Sequence, residues 1–201
     1  MEFATTHGTV PFRYHEGEGR GLVVVYPGLH YPAAYPLLYC ARKTALFLGW
    51  DVVELEYDLT KIPRGQRGTW LEELAHTTLA WAEEHAPRVV LLGKSLGTVL
   101  LAIAPMTTLS VPWGRVWVTP LVRQKVIERA LAKETRGLAF AGGRDRYIPK
   151  EIWDRLAHPG LTQVWLEDAD HKLEDPDPRV TLDHCSRYLH ELIGFMRAFD
   201  A

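Results

Sequence analysis

Six short runs rich in β-branched residues, separated by longer stretches of helical composition, constrain this chain more than any other feature. They are "LVVVY" (22–26), "DVVELEY" (51–57), "VVLL" (89–92), "RVWVT" (115–119), "GLAFA" (137–141) and "TQVWLE" (162–167). Strands alternating with helices argue a mostly parallel sheet covered by helices on both faces. The segment "TVPFRYH" (9–15) adds an antiparallel strand, placed at the edge because Pro11 has no N–H to give a central ladder.

Residues 34–48, 70–85, 96–107, 123–134 and 149–157 carry the composition and apolar spacing of helices. In the last helix Leu182, Cys185, Leu189, Leu192, Met196 and Phe199 recur every three or four residues, which predicts one face closing the core. Dense turn chemistry at "EGEGRG", "RGQRG" and "EDPDP" marks surface loops and no domain boundary. The expected architecture is α/β, one domain over residues 1–201, with a sheet of about six to seven strands.

Composition bears mainly on what is excluded. With 201 residues, 47% apolar, 24% charged and a net charge of −2, the chain has the balance of an ordinary globular protein and no basic footprint for nucleic acid. Cys40 and Cys185 cannot build a disulfide framework and read as reduced thiols. "MEFATTHGTVPF" lacks the basic start and apolar stretch of a secretory leader, and no run approaches a membrane span. A cytoplasmic location, without membrane or nucleic-acid partners, is the expectation; oligomeric state is not legible.

The segment "VVLLGKSLGTVL" (89–100) poses the chemical question. A phosphate-binding loop needs a glycine five positions before Gly93, so that successive amides can curl around phosphates, and that position is Arg88. The other reading is G-x-S-x-G, supplied by Gly93, Lys94, Ser95, Leu96 and Gly97 between a strand and a helix. A serine on so tight a turn needs small neighbours two residues away on each side. The helix start that follows favours negative charge near Ser95.

Serine alone is a poor nucleophile and needs a base, which in turn needs an orienter. In a parallel α/β sheet functional groups gather at the carboxyl ends of strands. Among the nine histidines, His171 in "TQVWLEDADHKL" follows a strand directly. Asp145 in "GLAFAGGRDRYIP" stands at another strand's exit, and Asp168 and Asp170 remain as alternatives in the histidine's own loop.

With "VVVYPG", "GKSLGT", "GGRDRYIP" and "DADHKLE" in that order, the chain resembles the α/β-hydrolase superfamily over essentially its whole length. "YPGLHYPAAYPLLY", "GKSLGT" and "VTPL" are similar more narrowly to small bacterial hydrolase-like proteins without a lid. The resemblance implies a triad of Ser95, Asp145 and His171. It also implies an oxyanion hole from the backbone amides of Leu96 and Leu29, with Gly28 allowing close approach. Pro27 stands where many members carry histidine, so whether Leu29 or His30 donates is left open.

Lys94 also departs from the commoner residues at its position; it is a candidate for steering an acidic substrate, but the residue before the serine usually points away from the cleft, and a buried or surface ion pair is the expectation. The seventeen residues between 119 and 137 leave room for one helix and no cap domain. Tyr31, Tyr35, Tyr39, Tyr57 and Trp70 are candidates either for a substrate wall or for core packing.

"HELIG" (190–194) has no second histidine for a zinc site, and "DADHKLEDPDP" lacks calcium-loop spacing, so no metal or cofactor is implied. The reading is a serine hydrolase acting on a small-molecule acyl substrate, an ester or thioester, through an acyl-enzyme on Ser95. The alternative is a non-catalytic binding or scaffold protein that keeps the same fold.

Overall fold

The structure, a computed structural model, describes residues 1–199. Eight strands form one sheet: β1 (Glu2–Thr5), β2 (Gly8–His15), β3 (Leu22–Tyr26), β4 (Asp51–Leu55), β5 (Val89–Lys94), β6 (Trp113–Val118), β7 (Gly137–Gly142) and β8 (Leu161–Leu166). Their order is β1-β2-β4-β3-β5-β6-β7-β8, with β1 and β2 antiparallel and the rest parallel.

The central strands are legible as apolar runs because both of their faces are buried. On β5, Val89 and Leu91 pack on one face, while Val90 and Leu92 pack on the other. Helices α2 (Arg67–His85), α3 (Gly97–Ile103), α4 (Lys125–Leu131) and α5 (Lys150–Arg155) cover the first face. Helices α1 (Pro36–Phe47) and α6 (Pro178–Arg197) cover the second. Only α4 stands between β6 and β7, so no cap domain roofs the carboxyl ends.

Two expectations need correction. First, the strand "TVPFRYH" is not at the edge, because β1 pairs outside it and brings the sheet to eight strands. Four residues are too few to show a period, and Gly8, at φ 103, makes the turn that folds β1 back. Pro11 lies one residue beyond the last β2–β4 pair, Phe12 with Leu55, and its carbonyl accepts from the Glu56 N–H. Its missing N–H therefore falls where that ladder has already ended.

Second, the buried stripe of α6 departs from the expected one at its start: Leu182 is 68% exposed and His184 and Tyr188 are inside, whereas Leu192, Met196 and Phe199 are buried as expected and Cys185 and Leu189 are half-buried. Packing against α1 and β7 sets the helix's rotation, and a buried leucine or methionine contributes about 1.5–3 kcal/mol whichever stripe is chosen. Asp177, whose side chain accepts from Arg179 N–H, and Pro178 in the first turn fix where the helix begins.

At the amino ends of the central strands a buried ion pair ties β6 to the α4–β7 turn. Arg115 Nε donates to Glu134 Oε2 at 2.7 Å, Trp117 Nε1 donates to the same oxygen at 2.9 Å, and the Thr135 N–H donates to Oε1 at 3.0 Å. Arg115 Nη1 also reaches the Leu101 carbonyl at 3.0 Å. Among the described residues no helix is long and apolar enough to cross a membrane.

Candidate active site

Ser95 sits one residue past β5 at φ 51, a left-handed conformation that a non-glycine residue adopts only when its surroundings demand it. The turn is held from outside: the Ser95 N–H donates to the Val118 carbonyl at 2.9 Å, and the Thr98 N–H returns to the Ser95 carbonyl at 2.9 Å. It is also crowded. A Cβ on Gly97 would lie 2.0 Å from the Tyr26 carbonyl oxygen, and one on Gly93 would lie 2.7 Å from the Gly97 oxygen. Small residues at these positions let strand and helix close around the serine.

His171 lies in the loop after β8, with its Nε2 2.8 Å from Ser95 Oγ. Its Nδ1 is 2.6 Å from Asp145 Oδ2. Asp145, 4% exposed, follows β7, and its second oxygen accepts from the Tyr147 N–H at 2.9 Å. Both carboxylate oxygens are thus used, and α5 begins only after Pro149. The structure therefore brings Ser95, Asp145 and His171 into one line of contacts from the ends of three strands.

The alternative acids do other work. Asp170 Oδ1 accepts from the Lys172 N–H at 2.7 Å and the Glu174 N–H at 3.0 Å, folding the loop that carries His171, and Asp168 is exposed. Tyr147, not singled out from the sequence, packs edge-on to the imidazole with ring centroids 4.9 Å apart.

The loop after β3 turns tightly, with Gly28 and Tyr31 exchanging N–H and carbonyl at 3.2 and 3.1 Å. Among the described residues the amides of Leu29, His30 and Leu96 donate to no backbone carbonyl, so all three stay available. Pro27, without an N–H, contributes its carbonyl, which accepts from Tyr57 Oη at 2.5 Å. Burial pushes the Tyr57 hydroxyl far up from its ordinary pKa, and that of Tyr31 up to about 12.

A cavity of about 640 Å³ opens here, walled by Gly28, Leu29, His30, Tyr31, Tyr57 and Leu96. The pairs Arg42–Glu54 and Arg13–Glu56 line it as well. Of the five aromatic candidates, Tyr31 and Tyr57 line this cavity, Trp70 is in the core, and Tyr35 and Tyr39 are exposed. Among the described residues no three His, Cys, Asp or Glu side chains gather as metal ligands.

Lys94 does not form the expected ion pair. It is 1% exposed, and Nζ donates to Thr119 Oγ1 at 2.5 Å and to the His171 carbonyl at 2.7 Å. Burial pulls its pKa down from 10.5 to about 8, against the opposing attraction of Asp145, Asp170 and Glu174. The reason is strand parity: Lys94 shares a side of β5 with Val90 and Leu92, and that side is closed by the loops after β3 and β8.

No protein-family model matches the sequence, and no curated protein does. Solved structures do. An esterase of Pyrococcus furiosus superposes with a TM-score of 0.76 at 11% identity, over 98% of this chain and 91% of that one. A serine hydrolase without lid from Xanthomonas campestris gives 0.72 at 16%, over 99% and 93%. Est1E of Butyrivibrio proteoclasticus gives 0.69 at 13%, over 96% and 98%. At such identities the likeness is one of fold: the chain has the α/β-hydrolase fold in a form without a cap.

Proposed function

We propose that this protein is a serine hydrolase that cleaves a small ester or thioester. The observation carrying the reading is the unbroken contact from Ser95 Oγ through both nitrogens of His171 to the buried Asp145 carboxylate. That is the arrangement in which an imidazole accepts a hydroxyl proton while its other nitrogen is held in one tautomer. Structural neighbours named as esterases and hydrolases support the same class.

In the proposed cycle His171 Nε2 takes the Ser95 proton as Oγ attacks the acyl carbonyl. Negative charge then develops on the carbonyl oxygen, where the N–H groups of Leu96 and of Leu29 stand ready to donate. The imidazolium hands its proton to the departing alcohol or thiol, leaving an acyl group on Oγ. Water, deprotonated by the same nitrogen, attacks the acyl-enzyme, and its proton returns to Oγ as the carboxylic acid leaves.

The cavity beside Leu29 and Leu96 has the volume for a compact acyl or leaving group, and its charged walls favour one with polar character over a long alkyl chain. The test is covalent labelling with a fluorophosphonate, followed by turnover of nitrophenyl esters and acyl thioesters of graded length. We predict labelling of the native protein and its loss in Ser95→Ala, with ester turnover lower by about 10⁶-fold. A folded native protein that takes up no label and hydrolyses none of these substrates would instead point to the non-catalytic alternative.

A further inference from the structure

We propose that Lys94 is a positioning residue for this hydrolysis, its side-chain N–H groups gripping the main chain of His171 so that the imidazole stays seated on Ser95. The inference rests on the serine-hydrolase reading for its consequence, and on the contacts of Nζ for its content.

A lysine buried to 1% exposure without a carboxylate partner is unfavourable, and a chain needing only to fill that volume would do better with an apolar side chain of similar length. What the nitrogen does offer is reach from the end of β5 to the loops after β6 and β8 at once. It sits at the end of β5, one residue before Ser95. From there it donates to Thr119 Oγ1 just past β6 and to the His171 carbonyl past β8. The ring of Tyr31, from the loop after β3, lies 5.0 Å from it.

Among the described residues Lys94 is the only donor to the His171 carbonyl. Asp170 folds residues 170–174 upon themselves, but that bond set is internal to the loop and does not fasten it to β5. The loop is also strained, with Leu173 at φ 62, and so is the other anchor, Thr119 at φ 46. Such conformations persist only when neighbouring bonds over-determine them. Fastening the carbonyl of the residue that bears the base is the most direct way to fix that base relative to the nucleophile 76 positions away.

The charged and titratable groups facing Nζ are Asp145 from the loop after β7, Asp170, Lys172 and Glu174 with His171 itself from the loop after β8, and Tyr31. None forms an ion pair with Lys94. The nitrogen therefore acts as a hydrogen-bond donor in a field of carboxylates at longer range.

The test uses the full chain with Lys94→Met, which keeps the length and removes the donor, and Lys94→Gln, which keeps a shorter neutral donor. For Lys94→Met the expected result is a kcat lower by about 10²-fold, the cost of a displaced catalytic group, with KM within about twofold because no substrate contact is lost. The rate of fluorophosphonate labelling falls in parallel. Lys94→Gln lies between, about tenfold below the native kcat by the same reasoning.

A folded methionine variant with native kcat and labelling rate overturns the proposal. If that variant does not fold, the glutamine variant decides: native kcat overturns, an intermediate value supports. The proton shared by His171 Nδ1 and Asp145 supplies a readout independent of turnover, as a far-downfield proton resonance. It is expected in the native protein and broadened or lost in Lys94→Met, while an unchanged resonance overturns the proposal. A native protein that neither labels nor turns over esters defeats the hydrolase reading alone, and the resonance then still answers for Lys94.

Discussion

Each end of the sheet buries a cation, and the two are treated in opposite ways. At the amino ends Arg115 is satisfied by Glu134 and the Leu101 carbonyl, and Trp117, Thr135 and Arg136 complete the carboxylate's bonds. At the carboxyl ends Lys94 pairs with no carboxylate among the described residues and leans on a hydroxyl and a main-chain oxygen. Backbone strain divides the same way. Left-handed turns at the amino ends fall on Gly19 and Gly49, whereas His30, Ser95, Thr119 and Leu173, none of them glycine, adopt them in loops after β3, β5, β6 and β8. One end is built for stability, and at the other each strained residue costs about 1–3 kcal/mol.

The largest effect that would sharpen this contrast is at the acid. We predict that Asp145→Asn lowers ester turnover by about 10⁴-fold with little change in thermal stability, because the wrong tautomer is then held at unchanged geometry. Asp170→Asn should instead loosen the loop, and Asp168→Asn should do neither. Steady-state kinetics of the three variants would reverse the assignment if Asp168→Asn or Asp170→Asn proved the inactive one.

At the opposite end, Glu134→Ala leaves the Arg115 guanidinium buried without its partner. Denaturant titration should show a loss of about 3–5 kcal/mol, with native kcat below the new midpoint. A comparable fall in kcat for the folded variant would break the division between the two ends.

The third prediction concerns pH. With its folded pKa lowered from 10.5 to about 8, Lys94 is charged in the unfolded chain and increasingly neutral in the folded one between those values. The unfolded state then binds more protons, so the stability of the native protein relative to Lys94→Met rises across this window, by about 3 kcal/mol at most. The variant serves as reference because Tyr26, Tyr31, Tyr57 and Tyr188, all pushed up by burial, act in the opposite direction at higher pH. A native-minus-variant difference that stays flat from pH 8 to 10.5 would remove the case that this ammonium is buried at a cost.

Smallest is the strain itself. Ser95→Gly removes the side chain from a left-handed position, and we predict about 1 kcal/mol of added stability together with loss of labelling. A melting temperature at or below that of Ser95→Ala would show that the turn is not under tension.

The sheet's middle was legible because buried parallel strands announce themselves as apolar runs, as at Leu22–Tyr26 and Val89–Leu92. β1 was not, since Glu2–Thr5 is too short to carry a pattern. The second half of α6's inner face, Leu192 and Met196, was legible from its spacing, but its start was not, because only the neighbouring elements choose between Leu182 and Tyr188. Lys94 was misread for a related reason. Its type argues for an ion pair, and nothing near it in the chain reveals that a carbonyl 77 positions later will accept from it instead.

Local order along the chain was enough to determined which residues end strands, hence that a serine between glycines, an aspartate and a histidine all emerge at one rim of a parallel sheet. Parity and periodicity act over a few residues, so they reach that far. What only the folded molecule decided was contact between parts remote in sequence: which oxygen faces the imidazole, which stripe of the last helix is inside, and what the buried lysine holds. Those outcomes depend on how whole layers pack, and packing is a property of all the elements together.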